Sequence, residues 1–267
     1  MDAREIDSIR RQVAERKPLV HHITNWVTIY DCANVVRSFG ALPVMAHAPE
    51  EVEEMAGISS ALVLNIGTLT SELISSMILA GKKANAKGIP VVLDAVGAGA
   101  TKFRTEKTNE LLANVHIDIL KGNAGEIANV AGVKAEVRGV ESGKVEGDKV
   151  SMAKALAKRI GAVVVITGKE DIVADSSGEA YLIKNGHAMM GSIVGTGCMV
   201  TSVIGAFAGV EKNYAKAACA ALSCFGIAGE LAAKKSHGPG SFKGNFYDEI
   251  ANLDEKKILA NAKVEEA

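Results

Sequence analysis

Short, continuously apolar runs alternate along the chain with longer mixed segments. The runs are Leu19–Ile23, Leu42–Met45, Ala61–Ile66, Pro90–Ala95, Ile117–Lys121 and Ala162–Thr167. They do not alternate apolar with polar, so each predicts a strand buried on both faces, as in a parallel sheet with crossover helices. The segments between them, Thr28–Phe39, Ser71–Lys87, Thr105–Asn114, Asn123–Ala131 and Ser151–Arg159, are long enough for those helices. Strand and helix in repeated alternation predict an α/β fold with a central, mostly parallel sheet. Beyond Thr167 the pattern changes. Asp171–Ala174 and Ala180–Lys184, joined through Asp175-Ser176-Ser177-Gly178, predict an antiparallel hairpin on one edge of the sheet. From about Thr196 the chain reads as helical, and Asn213–Lys235 is rich in the small residues that let helices approach closely. Val133–Lys149 is polar and aperiodic, a surface excursion without a second alternating set to make another domain.

Length and composition narrow this picture. A chain of 267 residues with 48% hydrophobic and 23% charged residues suits one globular domain, taken as residues 1–267. The formal charge of -1 argues against a non-specific nucleic-acid binder, which needs a basic surface. The N-terminal Met1–Asp7 is charged and lacks the apolar block of a signal peptide. The most apolar stretch, Met199–Val210, is shorter than the roughly 20 residues of a membrane span. Cys32, Cys198, Cys219 and Cys224 show no metal-binding or redox spacing, and free thiols point to the cytoplasm.

Four clusters carry candidate chemistry. Gly195-Thr196-Gly197-Cys198 enters a helix from a glycine-rich turn. Such a turn either serves only as a tight connection or aims free amides at an anion, including a transferring phosphoryl group. Cys198 in the first helical turn is expected to have a lowered pKa, which would make it a weak base or an orienter of a hydroxyl. Asp94 ends an apolar strand ahead of Gly97 and Gly99; it holds Mg²⁺ or a polar ligand, or caps the loop. Lys121 at another strand end could meet phosphate, while Glu126 either approaches a metal or complements a helix dipole. Thr167-Gly168 is a nucleotide grip or a plain hairpin turn. Asn25 and Met45 stand at two further strand ends. The neighbours His21 and His22 would point to opposite faces of a strand and cannot readily share a metal. No G-x-G-x-x-G follows the first strand, which disfavours a dinucleotide dehydrogenase.

In their order, His22-Ile23-Thr24-Asn25, Ala33-Asn34, Pro43–Ala46, Leu64–Thr68, Leu93–Gly99, Lys121–Glu126, Ile166-Thr167-Gly168, Gly195–Cys198 and Gly238–Phe242 resemble the hydroxyethylthiazole kinase family, a branch of the ribokinase-like fold. The resemblance implies a ribokinase-like sheet without a separate lid domain. It implies transfer of the γ-phosphoryl of ATP to the primary hydroxyl of 4-methyl-5-(2-hydroxyethyl)thiazole with Mg²⁺, for thiamine. It also implies a homotrimer with the thiazole pocket between subunits. Carried onto this chain, Met45, Asn25, Gly67 and Gly195 would line the thiazole site, and Lys121, Thr167 and Gly168 would hold ATP. Asp94 and Glu126 would order Mg²⁺, and Gly195, Thr196, Gly197 and Cys198 would form the catalytic anion hole. Two positions depart from the family pattern: Ala95 replaces a proline, and Lys121 replaces an arginine. The competing readings are a kinase for another vitamin-precursor alcohol, of hydroxymethylpyrimidine or pyridoxal type, an ATP-dependent cofactor-repair dehydratase of the same fold, and a non-catalytic ligand-binding module.

Overall fold

A computed structural model describes residues 1–133, 137–138, 141–142 and 148–267. Most of the predicted excursion at 133–149 therefore lies outside the described residues. In chain order, α1 (Ala3–Arg16) and β1 (Leu19–Ile23) lead into α2 (Ile29–Ser38), β2 (Leu42–Val44), α3 (Val52–Ile58) and β3 (Ala61–Asn65). Next come α4 (Ser71–Lys87), β4 (Val91–Asp94), α5 (Lys102–Asn114), β5 (Ile119–Asn123) and α6 (Ala124–Ala131). A two-stranded ladder, β6 (Val137–Arg138) with β7 (Glu141–Ser142), precedes α7 (Lys149–Ile160). The sheet resumes with β8 (Val163–Thr167), β9 (Asp171–Ala174) and β10 (Ala180–Ile183). Helices α8 (Thr196–Ala208), α9 (Tyr214–Ala233), α10 (Pro239–Ala251) and α11 (Glu255–Asn261) follow, and β11 (Val264–Glu266) closes the order.

The main sheet has nine strands in the order β11-β10-β9-β8-β5-β4-β3-β1-β2. The block from β2 to β8 is parallel, and β9, β10 and β11 are joined by antiparallel pairings. The predicted hairpin is present, but β11 lies outside it and forms the true edge. The helical last third thus ends in a strand. Neither α1 nor α3 was expected from the apolar pattern.

Side chains alternate across each strand, which explains the continuous apolar runs. Val63, Val92 and Ile119 face one core with helices α1, α2, α8, α9 and α10. Leu62, Leu64, Leu93 and Leu120 face a second core with α3 to α7. Both faces are covered, so every strand residue needs an apolar partner. Helix α8 lies close on β3 because Gly205 has no side chain; a Cβ there would stand 2.4 Å from Val63 Cγ2. Helix α9 is long and apolar enough to cross a membrane, but 83% of that stretch is buried inside the fold, so it serves as a core helix.

Candidate active site

The site grows out of strand alternation. Asn65, Asp94 and Lys121 are neighbours across β3, β4 and β5, since Asn65 pairs with Asp94 and Asp94 with Lys121 in register. They continue the face of Val63, Val92 and Ile119, so all three point toward α8. Lys121 Nζ donates to Asp94 Oδ1 at 3.1 Å, and Asn65 Nδ2 donates to Asp94 Oδ2 at 3.0 Å. From α8, Thr201 Oγ1 donates to the same Oδ2 at 2.7 Å. Asp94 is fully buried with both oxygens engaged. Burial works against the charge on Lys121, but Asp94, Glu126 and Cys198 outweigh it and hold its pKa above the ordinary lysine value.

Glu126 sits in the first turn of α6 and closes a capping box with Asn123. Its Oε2 accepts from Asn123 N–H at 2.6 Å and its Oε1 from Gly97 N–H at 2.7 Å, tying the loop after β4 to α6. Burial raises its pKa and Asp94 adds to the rise, while Lys121 opposes it. A third tie comes from Arg104, which donates to the carbonyls of Ile66, Val96 and Gly67 at 2.8, 2.9 and 2.7 Å. It clamps the loops after β3 and β4 together.

The glycine turn is where α8 begins. Gly195 is its N-cap at φ 90, and no side chain caps this helix start. A Cβ at Gly195 would lie 2.1 Å from Thr28 Cγ2, so glycine is required by space as well as by backbone conformation. Lys121 lies beneath the turn, its Nζ only 3.4 Å from where a Cβ on Gly197 would be. On one side of the turn a cavity of about 810 Å³ opens. Thr167, Gly168, Asp171, Thr196, Gly197 and Phe225 are among its walls. On the other side Asn25, Thr28 and Cys198 meet: Asn25 Nδ2 donates to Cys198 Sγ at 3.4 Å and to Asn65 Oδ1 at 3.0 Å.

The structure therefore brings Thr167, Gly168, Thr196 and Gly197 around one cavity, with Lys121 below. It places Asn25, Cys198, Gly195 and Gly67 together on the opposite side; Gly67 N–H donates to Asn65 Oδ1 at 2.9 Å. Met45 stands half-buried just past β2, the outermost strand at that edge. Its neighbour Ala46 is anchored by His21, whose Nε2 lies 2.7 Å from the Ala46 carbonyl. His22 turns instead to its own strand, with Nδ1 at 3.0 Å from Val20 O, so the two histidines hold separate backbone groups.

One expectation is overturned. The Cys198 pKa is raised, because burial and the negative charge of Asp94 outweigh Lys121 and the hydrogen bonds to the sulfur. The thiol is the resting form. For Mg²⁺, the described residues contain no group of three or more His, Cys, Asp or Glu side chains that could hold an ion. Asp94 and Glu126 are each already bonded to donors. As carboxylates acting on Lys121 they are the hard oxygen donors that Mg²⁺ takes, directly or through water.

Asn65, Thr201, Thr28 and Arg104 were not assigned roles from sequence. Asn65 carried the same signal as Asp94, a polar residue ending an apolar strand. Arg104 carried none, since its three acceptors are backbone carbonyls.

Residues 10–256 match the model of the hydroxyethylthiazole kinase family. The chain is 61% identical over 256 residues to the hydroxyethylthiazole kinase of Methanosarcina mazei, covering 96% of this chain and 98% of the relative. It is 52% identical over 264 residues to that of Methanocella arvoryzae, covering 99% of each. Among solved structures it resembles a hydroxyethylthiazole kinase protein from Pyrococcus horikoshii with a TM-score of 0.89 and 40% identity, covering 98% of both chains.

Proposed function

The chain belongs to the hydroxyethylthiazole kinase family, and from that premise we propose how its residues divide the work of phosphorylating the thiazole alcohol with ATP. The reading rests on one observation: Lys121 lies under the α8 turn, between the cavity at Thr167–Gly168 and the Asn25–Cys198 cluster. The cavity takes ATP, with Thr167 and Gly168 along its rim. The uncapped amides at Gly195–Cys198 and the Lys121 ammonium stabilise the charge that spreads over the γ-phosphoryl as it moves. Asn25, Gly67, Gly195 and Cys198 receive the alcohol on the far side. The hydroxyl oxygen bonds to phosphorus as the bond to the β-phosphate oxygen breaks; the Cys198 thiol orients that hydroxyl, and the hydroxyl proton leaves late to an oxygen of the transferred phosphoryl group. A loose transition state needs positioning more than a strong base, so a thiol with a raised pKa suffices.

Mg²⁺ would neutralise charge on the ATP phosphates, with Glu126 and Asp94 ordering its water shell. Residues 1–267 act as one kinase domain, and Met45 completes the alcohol pocket of a neighbouring subunit in a homotrimer. The exposed apolar side chains Trp26, Val27, Tyr30 and Val194, which flank Asn25 and Gly195, support such an interface. Four free cysteines support a cytoplasmic setting.

A coupled assay with the thiazole alcohol, ATP and Mg²⁺ tests the reading, and formation of the thiazole phosphate with matching ADP is the expected result. ADP release without a phosphorylated alcohol would point to a cofactor-repair enzyme instead. Turnover only with a pyrimidine or pyridoxal-type alcohol would reassign the substrate.

A further inference from the structure

Asn65 lines no part of the cavity, is 1% exposed, and makes three side-chain hydrogen bonds besides one to the Cys198 sulfur. Their direction can be deduced. Asp94 accepts from Lys121 Nζ and Thr201 Oγ1, so it acts as an acceptor here and the half of Asn65 facing it must be the amino group. The carbonyl half of Asn65 then faces Gly67 N–H and Asn25, at 2.9 and 3.0 Å. Gly67 N–H is a fixed donor and agrees with that assignment. The half of Asn25 facing Asn65 Oδ1 must in turn be an amino group. Its own carbonyl accepts from Thr28 N–H and Thr28 Oγ1, at 3.0 and 3.1 Å, which again agrees. The remaining N–H of Asn25 points at Cys198 Sγ, 3.4 Å away. Two amides with four possible orientations thus have one that satisfies every partner.

We infer that Asn65 is a positioning residue: it transmits the acceptor role of Asp94 through Asn25, so that Cys198 Sγ always receives a hydrogen bond. A sulfur that receives this bond keeps its own proton free for a substrate hydroxyl and is better tolerated as a thiolate once a proton has been lost. The charged groups acting on Cys198 are Asp94, which disfavours the thiolate, and Lys121, which favours it; Cys32 lies nearby. The Asn25 donor works alongside Lys121 and the side chains of Asn65 and Thr28, which also bond the sulfur. This deepens the kinase reading and rests on it for the role of Cys198 toward the alcohol, but the orientation itself can be tested without any turnover.

The test is alkylation of Cys198 by iodoacetamide at about pH 8, read by peptide mass spectrometry, beside steady-state kinetics. Cys32, Cys219 and Cys224 are buried and react slowly. Asn65→Leu keeps the approximate shape and removes the relay. Asn65→Asp keeps an acceptor for Asn25 and Gly67, and the two facing carboxyls can share one proton. The expected result is a fall of about tenfold or more in both Cys198 alkylation and kcat for Asn65→Leu, the size of a lost charge-assisted hydrogen bond. KM for ATP should stay within about threefold of the starting protein. Asn65→Asp should restore alkylation to within about threefold. The inference is overturned if Asn65→Leu alkylates like the starting protein, or if Asn65→Asp is as slow as Asn65→Leu. Should Asn65→Leu fail to fold, as judged by circular dichroism, a tenfold loss of alkylation in a folded Asn65→Asp still overturns it. If alkylation follows the expected pattern but the thiazole alcohol is never phosphorylated, the kinase reading fails and the orientation stands.

Discussion

The side-chain amide of Asn25 donates to Cys198 Sγ across 3.4 Å, from a loop 173 residues away in sequence. With Asp94 and burial holding the thiol protonated, this bond favours an orienting role for Cys198 over that of a strong base. Cys198→Ala is therefore expected to lower kcat by about ten- to a hundredfold, at or below the usual range for a positioned acid or base. Cys198→Asp should stay active or gain activity, since a carboxylate can take the proton outright. Steady-state rates with the thiazole alcohol check both, and a Cys198→Ala enzyme with unchanged kcat and KM would remove the cysteine from the mechanism.

Lys121 and Asp94 should behave as a unit. Lys121→Met leaves a buried carboxylate without its cation and is expected to cost about 3–5 kcal/mol of stability. Adding Asp94→Asn should recover most of that loss in a urea melt, because no unpaired charge remains. Activity should not return in the double variant, since the cation under the α8 turn is still missing. Full activity in the double variant would show that Lys121 serves the fold alone.

Gly195→Ala meets two obstacles, the left-handed backbone at φ 90 and Thr28 Cγ2 at 2.1 Å from the added carbon. A backbone held in that region costs about 1–3 kcal/mol, and displacement of the turn should depress kcat. Thr28→Ser removes the clashing methyl and keeps the hydroxyl that bonds Asn25. The combined variant should regain part of the lost stability, leaving the backbone cost. Equal thermal melts for Gly195→Ala and the starting protein would contradict the geometry of the turn.

Acid should weaken the fold through His22. Burial pushes its pKa down to about 4, so the folded protein keeps it neutral while the unfolded chain protonates it near 6.5. A depressed pKa contributes stability that is present above the unfolded value and is lost as pH falls through the folded one. The loss, up to about 3 kcal/mol, should develop between pH 6.5 and 4. His22→Phe should flatten that limb in urea titrations at about pH 7.5, 5.5 and 4.5. Lys121 acts at the other extreme. Its raised pKa gives stability that is present below its ordinary value and is lost as alkali titrates the folded amine.

Much of this was legible in the chain itself, for physical reasons. The parallel strands read clearly because both of their faces are covered, leaving few polar interruptions apart from His21 and His22 in β1. Asp94 and Lys121 stood out as charges ending such runs. The helix α1 did not: Ile6, Ile9 and Val13 form its buried stripe, but the surrounding charges mask it. The strand β11 has one partly buried residue, Val264, and is held by backbone pairing with β10, which leaves little side-chain signal. The direction of the Cys198 pKa is not legible in sequence, which shows the helix start but neither the burial of the thiol nor a carboxylate arriving from a strand about a hundred residues earlier.

The row Asn65–Asp94–Lys121 has a consequence for how the sheet assembles. A slip of one residue between β4 and its neighbours would turn Asp94 to the opposite face, among Leu62, Leu64 and Leu120. A carboxylate stranded there would cost several kcal/mol, of the order of about 3–5, while the purely apolar residues before it would tolerate the shift far better. The ionic row therefore acts as a proofreader of strand alignment, rejecting out-of-step sheets while the protein folds and before any substrate arrives.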